Sequence, residues 1–389
     1  MTSFDPTAEH AGIRAGVAQI CAAFPGEYWR ACDRERSYPK AFVDALAAAG
    51  YLAAMVPEAY GGSGLDLTAA AVILEEIHRN GCNAAACHAQ MYTMGTVLRH
   101  GSEAQKAAYL PKIATGELRL QAFGVTEPTS GTDTLALKTT ARRVGDEYVI
   151  NGQKIWTSRA EFSDLMLLLA RTTPQAEAGK RTDGLSVFLI DLRECVGRGL
   201  TIRPIRTMIN HSTTEVFLDD VRVPASALVG VEGQGFRYIL SGMNAERILI
   251  AAECIGDAKW FLDRASAYAR DRVVFGAPIG RNQGVQFPLA RAWAHMLAAE
   301  AIVYRAAGRY DAGQDPGVEA NTAKMLAADA SWEAAEACMQ THGGFAFAEE
   351  YDIERKFRET RLYQIAPIST NLILSFIAEK VLGLPKSYG

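Results

Sequence analysis

A run of about 18 apolar residues, the length that spans a bilayer, is missing from this 389-residue chain. No segment is therefore read as a membrane-spanning helix. Excess positive charge is missing too: 40 Lys and Arg stand against 44 Asp and Glu, a formal net charge of −4. Without a global basic field, the chain is not built to hold nucleic acid or an acidic membrane by charge. Cysteines number only seven, scattered at Cys21, Cys32, Cys82, Cys87, Cys195, Cys254 and Cys338. The odd count and long gaps argue against a disulfide framework. Cys82, Cys87 and His88 lie close together, but no second ligand pair stands at zinc spacing, so no metal is expected. A Gly-x-Ser-x-Gly nucleophile elbow is absent. Gly230-x-x-Gly233-x-Gly235 follows no strand of a βαβ unit, so it reads as a joint rather than a dinucleotide fingerprint. The opening Met1-Thr2-Ser3-Phe4-Asp5-Pro6 has neither the basic nor the apolar region of a signal peptide. What remains is a reduced, cytoplasmic, multi-domain protein of ordinary composition, 49% hydrophobic and 22% charged.

Three textures follow one another along the chain. The first third is alanine-rich and helical. One helix over Ala41–Gly50 ends on glycine, another over Leu67–Asn80 stops at Gly81, and Ser102 is placed to N-cap a third. Pro111 falls inside that third helix and is expected to kink it. From about Leu120 to Pro224, short β-branched and aromatic runs alternate with turn residues. Val144–Gly152 reads as a hairpin followed by a turn. Leu165–Ala170, Leu185–Asp191 and Val216–Val221 read as further strands, and polar Thr172–Asp183 as an exposed loop. Long helices then return over Phe236–Arg272, Gly284–Gly308 and Val318–His342. In the last, Met325, Ala328, Trp332, Ala335 and Met339 step by three and four, which predicts a core stripe. Arg355-Lys356-Phe357-Arg358 alternates with Glu354 and Glu359 and reads as a solvated or subunit-facing surface. The fold class expected is multi-domain α+β. Its parts are a helical domain over 1–120, a β-barrel or sandwich domain over 121–231 and a four-helix bundle over 232–389.

Several short motifs rise above this background. Phe123-Gly124-Val125-Thr126-Glu127-Pro128-Thr129-Ser130-Gly131-Thr132-Asp133 is a dense turn sequence after a strand; alone it would be an ordinary β-turn. Asn151-Gly152-Gln153-Lys154-Ile155-Trp156-Thr157-Ser158 follows. Then come Val221-Arg222-Val223-Pro224, Arg272-x-x-Phe275-Gly276, Gln283 and Gln340-Thr341-His342-Gly343-Gly344. In order and spacing, from about Tyr38 to Gly383, these segments resemble the acyl-CoA dehydrogenases. The resemblance implies an FAD enzyme. Phe123, Val125 and Thr126 would meet the flavin, Trp156 would wall its ring, and Ser158 would hydrogen-bond near N5, where the family usually has threonine. Thr132 would contact the cofactor phosphates or the acyl-CoA. Arg272 suits the pyrophosphate because a guanidinium offers paired donors and a permanent charge. With Phe275, Gln283, Gln340, Gly343 and Gly344 it would reach FAD across a subunit interface, in a homodimer unit usually assembled as a homotetramer. Ser369 and Asn371 complete the implied cofactor set.

The family's reaction removes a proton α to a thioester, which needs a positioned carboxylate. Many members carry it in a Tyr-Glu-Gly-Thr loop before the last helix. Here that stretch is Tyr363-Gln364-Ile365-Ala366-Pro367-Ile368-Ser369-Thr370-Asn371, and Pro367 stands where the glutamate would be. Another branch, of isovaleryl-CoA and long-chain type, holds its glutamate on a central helix. The matching residues are Asn244-Ala245-Glu246-Arg247, so Glu246 is the expected base, its pKa rising as substrate and flavin desolvate it. Standing alone, Glu246 would be a solvated helix residue beside Arg247. Asn244, Arg247, Thr132 and Pro367 are the expected substrate contacts. Proline has no N–H, so one donor to the thioester carbonyl is lost, a contribution of about 3–4 kcal/mol in other enzymes. Gly81-Cys82-Asn83-Ala84-Ala85 lacks the arginine that the glutaryl-CoA branch uses, which disfavours dicarboxylyl substrates of that kind. The expected partners are an acyl-CoA and electron-transferring flavoprotein. Two other classes stay open: an oxidase, monooxygenase or desulfinase on this fold, and a non-catalytic DNA-associated relative, which net charge opposes.

Overall fold

The computed structural model describes residues 8–387; Met1–Pro6 therefore lies outside them. The helices are α1 (Ala11–Ala22), α2 (Gly26–Glu35), α3 (Lys40–Ala48), α4 (Leu67–Arg79), α5 (Ala85–His100) and α6 (Glu103–Ala114). The short α7 (Leu192–Cys195) lies among the strands, and after them come the long α8 (Gly235–Asp271), α9 (Gln283–Asp311), α10 (Gly317–His342), α11 (Ile353–Arg361) and α12 (Thr370–Phe376). The chain forms two compact units. One comprises 36–65 and 85–243, the other 1–35, 66–84 and 244–389.

The first unit is built on an eight-stranded sheet. Its strands are β1 (Leu120–Gly124), β2 (Thr140–Val144), β3 (Glu147–Ser158), β4 (Leu165–Arg171), β5 (Leu185–Asp191), β6 (Leu200–Pro204), β7 (Thr213–Pro224) and β8 (Leu228–Val229). Their order is β6-β7-β3-β2-β4-β5-β8, with β1 parallel to β4. Every residue of β4 is buried. Leu165, Leu167 and Leu169 face a core shared with Met94, Val97, Leu110 and Ile113 of α5 and α6. Met166, Leu168 and Ala170 face a second core with Tyr148, Phe188 and Val216. The period-two alternation of a strand thus feeds two cores, which is why β4 reads as a continuous apolar run.

The turn expected at Asn151–Gly152 is not formed; β3 runs through it to Ser158. Gly152 has φ +152°, and a Cβ there would lie 2.4 Å from the Thr139 hydroxyl. The register against β7 shifts between Ile150 and Gly152. Glycine marks a bulge there, not a strand end. The hairpin turn itself sits at Gly145, with φ +63°. Ser102 caps α6 as expected, with a complete capping box to Gln105. The helix runs on through Pro111 to Ala114.

In the second unit, α10 packs on α9 and α11, and α4 on α1 and α9. The stripe expected along α10 is only partly core. Ala328 and Ala335 are buried, but Met325, Trp332 and Met339 are half-buried. The buried face runs instead through Ala320, Ala323, Ala327, Ala334 and Cys338. Small side chains let the helix backbones approach, and the larger residues flank the seam. On α8, a Cβ at Gly256 would lie 2.2 Å from the Glu75 carbonyl. The charged run on α11 is not a solvated surface: Arg355 and Lys356 are 2% and 0% exposed. Asp257 accepts a contact from Lys356 and lies 2.8 Å from His78 Nδ1, while Arg355 pairs with Glu359 at 2.9 Å. Carboxylates on α8 and α11 make that burial possible; unpaired, each charge would be costly. Alternation of sign along α11 records internal pairing, which looks the same in sequence as solvation.

Ser102→Ala removes one half of the capping box and is expected to cost about 1 kcal/mol, read as a lower denaturant midpoint with an unchanged slope.

Candidate active site

In the sheet-bearing unit, the loop after β1 is held by a buried ion pair. Lys154 on β3 is fully buried, and its Nζ donates to Glu127 Oε1 at 2.8 Å and to the Val125 carbonyl at 3.1 Å. Glu127 also accepts from the backbone N–H groups of Lys138 (2.6 Å) and Thr139 (2.9 Å). Burial alone would raise the Glu127 carboxyl; Lys154 and those N–H groups hold it below the ordinary value. Burial brings Lys154 down to about 8 against the pull of Glu127. Ile155 N–H donates to the Thr126 carbonyl at 2.9 Å. In a planar trans peptide the N–H points opposite the preceding C=O. With the Val125 carbonyl bound to Lys154, the Thr126 N–H therefore points away from that lysine. Val125 and Thr126 are half-buried, and Thr132 is exposed farther along the loop.

Trp156 sits where the β3–β7 register shifts between Lys154 and Thr157. It has φ +60°, and the residue is 57% exposed. A positive φ at a bulky residue is unusual, and here it turns an indole out of the sheet while Lys154 and Thr157 stay buried. Ser158 follows, half-buried, paired with Thr213. Phe123 is half-buried with its ring 5.7 Å from that of Tyr92. A backbone N–H turned away from Lys154 in the loop after β1, with an exposed indole and a half-buried hydroxyl on β3, suits a planar heteroaromatic group with polar edges.

In the helical unit, Asn244, Glu246 and Arg247 share the start of that unit's part of α8. Arg247 is buried, and its Nη1 donates to Asn244 Oδ1 at 2.9 Å. Burial lowers the Arg247 pKa and the neighbouring Glu246 opposes that shift. Glu246 is half-buried. The loop carrying Pro367 precedes α12, which Ser369 caps through Leu372 N–H. Asn371, inside α12, is exposed. Sequence reasoning missed Lys324. It lies on α10 with no exposed surface, and its Nζ donates to the Ile368 carbonyl at 2.9 Å. Burial lowers its pKa; Cys254 and Asp329 oppose the shift and Arg247 adds to it. A lysine amid apolar α10 residues was the available signal, since such a group is buried only with a partner.

Arg272, Phe275, Gln283, Gln340, Gly343 and Gly344 are all exposed, Phe275 completely. The Arg272 guanidinium lies 5.6 Å over the ring of Phe345, next to Gly344. Arg272 is thereby brought to the Gly343–Gly344 segment. Among the described residues no cluster of His, Cys, Asp and Glu could hold a metal ion, and no helix is long and apolar enough to cross a membrane.

Family models for the acyl-CoA dehydrogenase N-terminal, middle and C-terminal domains match residues 7–117, 122–221 and 233–382. The chain belongs to the acyl-CoA dehydrogenase family. As a family member it is an oxidoreductase. It is 34% identical to an acyl-CoA dehydrogenase, fadE12, of Mycobacterium bovis, over 100% of this chain and 99% of the relative. Two solved structures are similar in fold. One is a glutaryl-coenzyme A dehydrogenase in complex with glutaryl-CoA, with a TM-score of 0.91, 30% identity and coverage of 99% of this chain and 98% of that one. The other is butyryl-CoA dehydrogenase from Megasphaera elsdenii, with a TM-score of 0.90, 28% identity and coverage of 98% and 100%.

Glu127→Gln leaves Lys154 buried without its counter-charge, and a loss of about 3 kcal/mol or more is expected. The folded carboxyl has a depressed pKa. Its contribution is thus present above the unfolded value and is lost as pH falls through the lower folded value. Thermal melts from neutral to acid pH should show the variant's deficit shrinking as the wild type loses that contribution.

Proposed function

We propose that this chain catalyses FAD-dependent α,β-dehydrogenation of an acyl-CoA thioester, with Glu246 as the base. FAD, when bound, supplies the acceptor for the hydride leaving the β carbon. The Thr126 N–H, Trp156 and Ser158 would hold its ring system, and Arg272 its pyrophosphate. Glu246 takes the proton from the α carbon onto its carboxylate. Arg247, fixed by Asn244, keeps positive charge beside that carboxylate before the proton arrives. The observation that carries this assignment is a pair. Glu246 is half-buried next to a buried arginine, and no acidic residue occurs between Leu362 and Asn371. Electrons would pass to electron-transferring flavoprotein.

Exposure of Arg272, Phe275, Gln340, Gly343 and Gly344 on one chain supports a homodimer or homotetramer in which these residues meet the cofactor of a neighbouring copy. A second reading, oxidase chemistry on the same fold, draws on Pro367. It offers no N–H to a thioester carbonyl, so carbonyl polarisation differs from that of a glycine-containing loop. Rapid reoxidation of the reduced protein by oxygen would mark that reading; slow reoxidation with fast transfer to electron-transferring flavoprotein marks the first.

Glu246→Gln, with FAD retained, is expected to slow anaerobic flavin bleaching by acyl-CoA by about 10²–10⁴-fold. Bleaching at the wild-type rate would remove Glu246 from the mechanism. Arg272→Ala is expected to lower bound FAD, measured as the ratio of flavin to protein absorbance after gel filtration, with the helical content by circular dichroism unchanged.

A further inference from the structure

In the helical unit, one pair of thiols takes no part in the proposed dehydrogenation. Cys21 stands on the last turn of α1 and Cys82 just after α4, two helices that pack together. Both are free thiols, 3% and 0% exposed. Cys82 Sγ lies 4.0 Å from the Cys21 carbonyl oxygen and 3.9 Å from that of Phe24. The two thiols also hydrogen-bond to each other. Packing of α1 on α4 thus brings together two cysteines 61 positions apart.

The pair is electrically uneven. Arg355 Nη2 donates to the Gly81 carbonyl at 3.1 Å, and Lys356 Nζ to the Cys82 carbonyl at 3.3 Å. Two buried cations therefore stand against this turn. The hydrogen bond from Cys21 lowers the Cys82 thiol; burial opposes that shift, while Trp29, Lys356 and Arg355 add to it. The same bond, and then burial, pushes Cys21 up. Cys82 is the sulfur that ionises, and Cys21 is the one that keeps its proton. Burial instead raises Cys195 to about 11, Cys338 to about 12 and Cys254 well above the ordinary thiol value. The thiolate, not the thiol, is the nucleophile, so Cys82 is set apart from those three.

Access comes through a cavity of about 270 Å³ lined by Cys21, Trp29, Gly81 and Arg355, with other residues of the same unit. A water molecule takes about 30 Å³ of the liquid, so the space admits solutes somewhat larger than water. A cysteine of depressed pKa beside a second cysteine is the arrangement in which a sulfenic acid resolves to a disulfide. The scattered spacing of the cysteines in the sequence argues against a disulfide framework, but it says nothing of one pair assembled by packing.

We propose that Cys82 and Cys21 form a peroxide-reactive dithiol, with hydrogen peroxide as the oxidant it takes. The Cys82 thiolate attacks one peroxide oxygen. An S–O bond forms, the O–O bond breaks, and the departing hydroxide takes the Cys21 proton to leave as water. The Cys21 thiolate then attacks the Cys82 sulfur. The S–S bond forms, the S–O bond breaks, and the second hydroxide takes a proton from solvent. The two sulfurs together lose two electrons, and the peroxide is reduced to two waters. The disulfide ties the end of α1 to the segment after α4, and a dithiol reductant reverses it by exchange. This chemistry uses none of the residues assigned to dehydrogenation and does not depend on that assignment.

The test titrates the FAD-loaded protein, reduced and then freed of reductant, with hydrogen peroxide at neutral pH. Thiols are counted after denaturation, and peptides are mapped without reduction. Two of the seven thiols should disappear, and the map should show Cys21 joined to Cys82. Those two should be lost at least about 10-fold faster than the others, since an ordinary cysteine is only a few per cent thiolate near pH 7. Dithiothreitol should restore both. Cys21→Ala should leave Cys82 as a sulfenic acid, trapped by dimedone, with no joined peptide. Cys82→Ala should remove the fast loss. The joined peptide is read on the unsubstituted protein, so it decides the question should either variant fail to fold. Thiols lost evenly across the chain, fast loss confined to other cysteines, no fast loss at all, or fast loss of Cys21 that survives Cys82→Ala would overturn the dithiol.

Discussion

The Lys154–Glu127 ion pair is the constraint on which the sheet-bearing half of the site depends. It is buried, and a buried pair is weak as a source of stability because desolvation offsets much of the Coulomb gain. Its value here is orientation. One lysine binds a carbonyl of the loop after β1, and one glutamate binds two N–H groups before β2. Both ends of the one connection between β1 and β2 are thus held to β3 around a single charge pair. The bulge that turns Trp156 outward begins one residue after that lysine. A rigid loop, an exposed indole and a hydroxyl arise together because the same strand end supplies the lysine, the bulge and Ser158.

The helical half follows a similar rule with different residues. Lys324, Lys356, Arg355 and Arg247 are charged groups inside a helical unit whose seams are largely alanine. Each is tied to a carbonyl, a carboxylate or an amide. Lys324 fixes the carbonyl of Ile368, the residue after Pro367, and Arg247 donates to Asn244 next to Glu246 in the chain. Alanine seams leave room for these long side chains, and the pairings in turn fix loops that carry no regular structure of their own.

Much of the architecture was legible because it is periodic. The long helices over 235–271, 283–311 and 317–342 lie close to their expected bounds, and Leu185–Asp191 coincides with a strand. Errors fell where one local pattern serves two outcomes. Asn-Gly at 151–152 is turn chemistry, yet the facing strand β7 pairs on both sides of it and makes a bulge. Alternating charge on α11 is the signature of a solvated helix, yet Asp257 from α8 pairs with it inside the unit. Met and Trp on α10 have core spacing, yet alanine occupies the seam because helix backbones pack more closely there.

By itself, the sequence determined the order of helical, sheet and helical segments, the family motifs and the absence of a carboxylate from the loop at Pro367. Those are properties of composition and neighbours along the chain. Only the tertiary structure decided that Lys154 would hold Glu127, that Lys324 would hold Ile368, and that the Arg159 guanidinium would meet the His211 ring. Each depends on residues far apart in sequence and on the exclusion of water between them. That exclusion makes an unpaired polar group costly enough to select one arrangement.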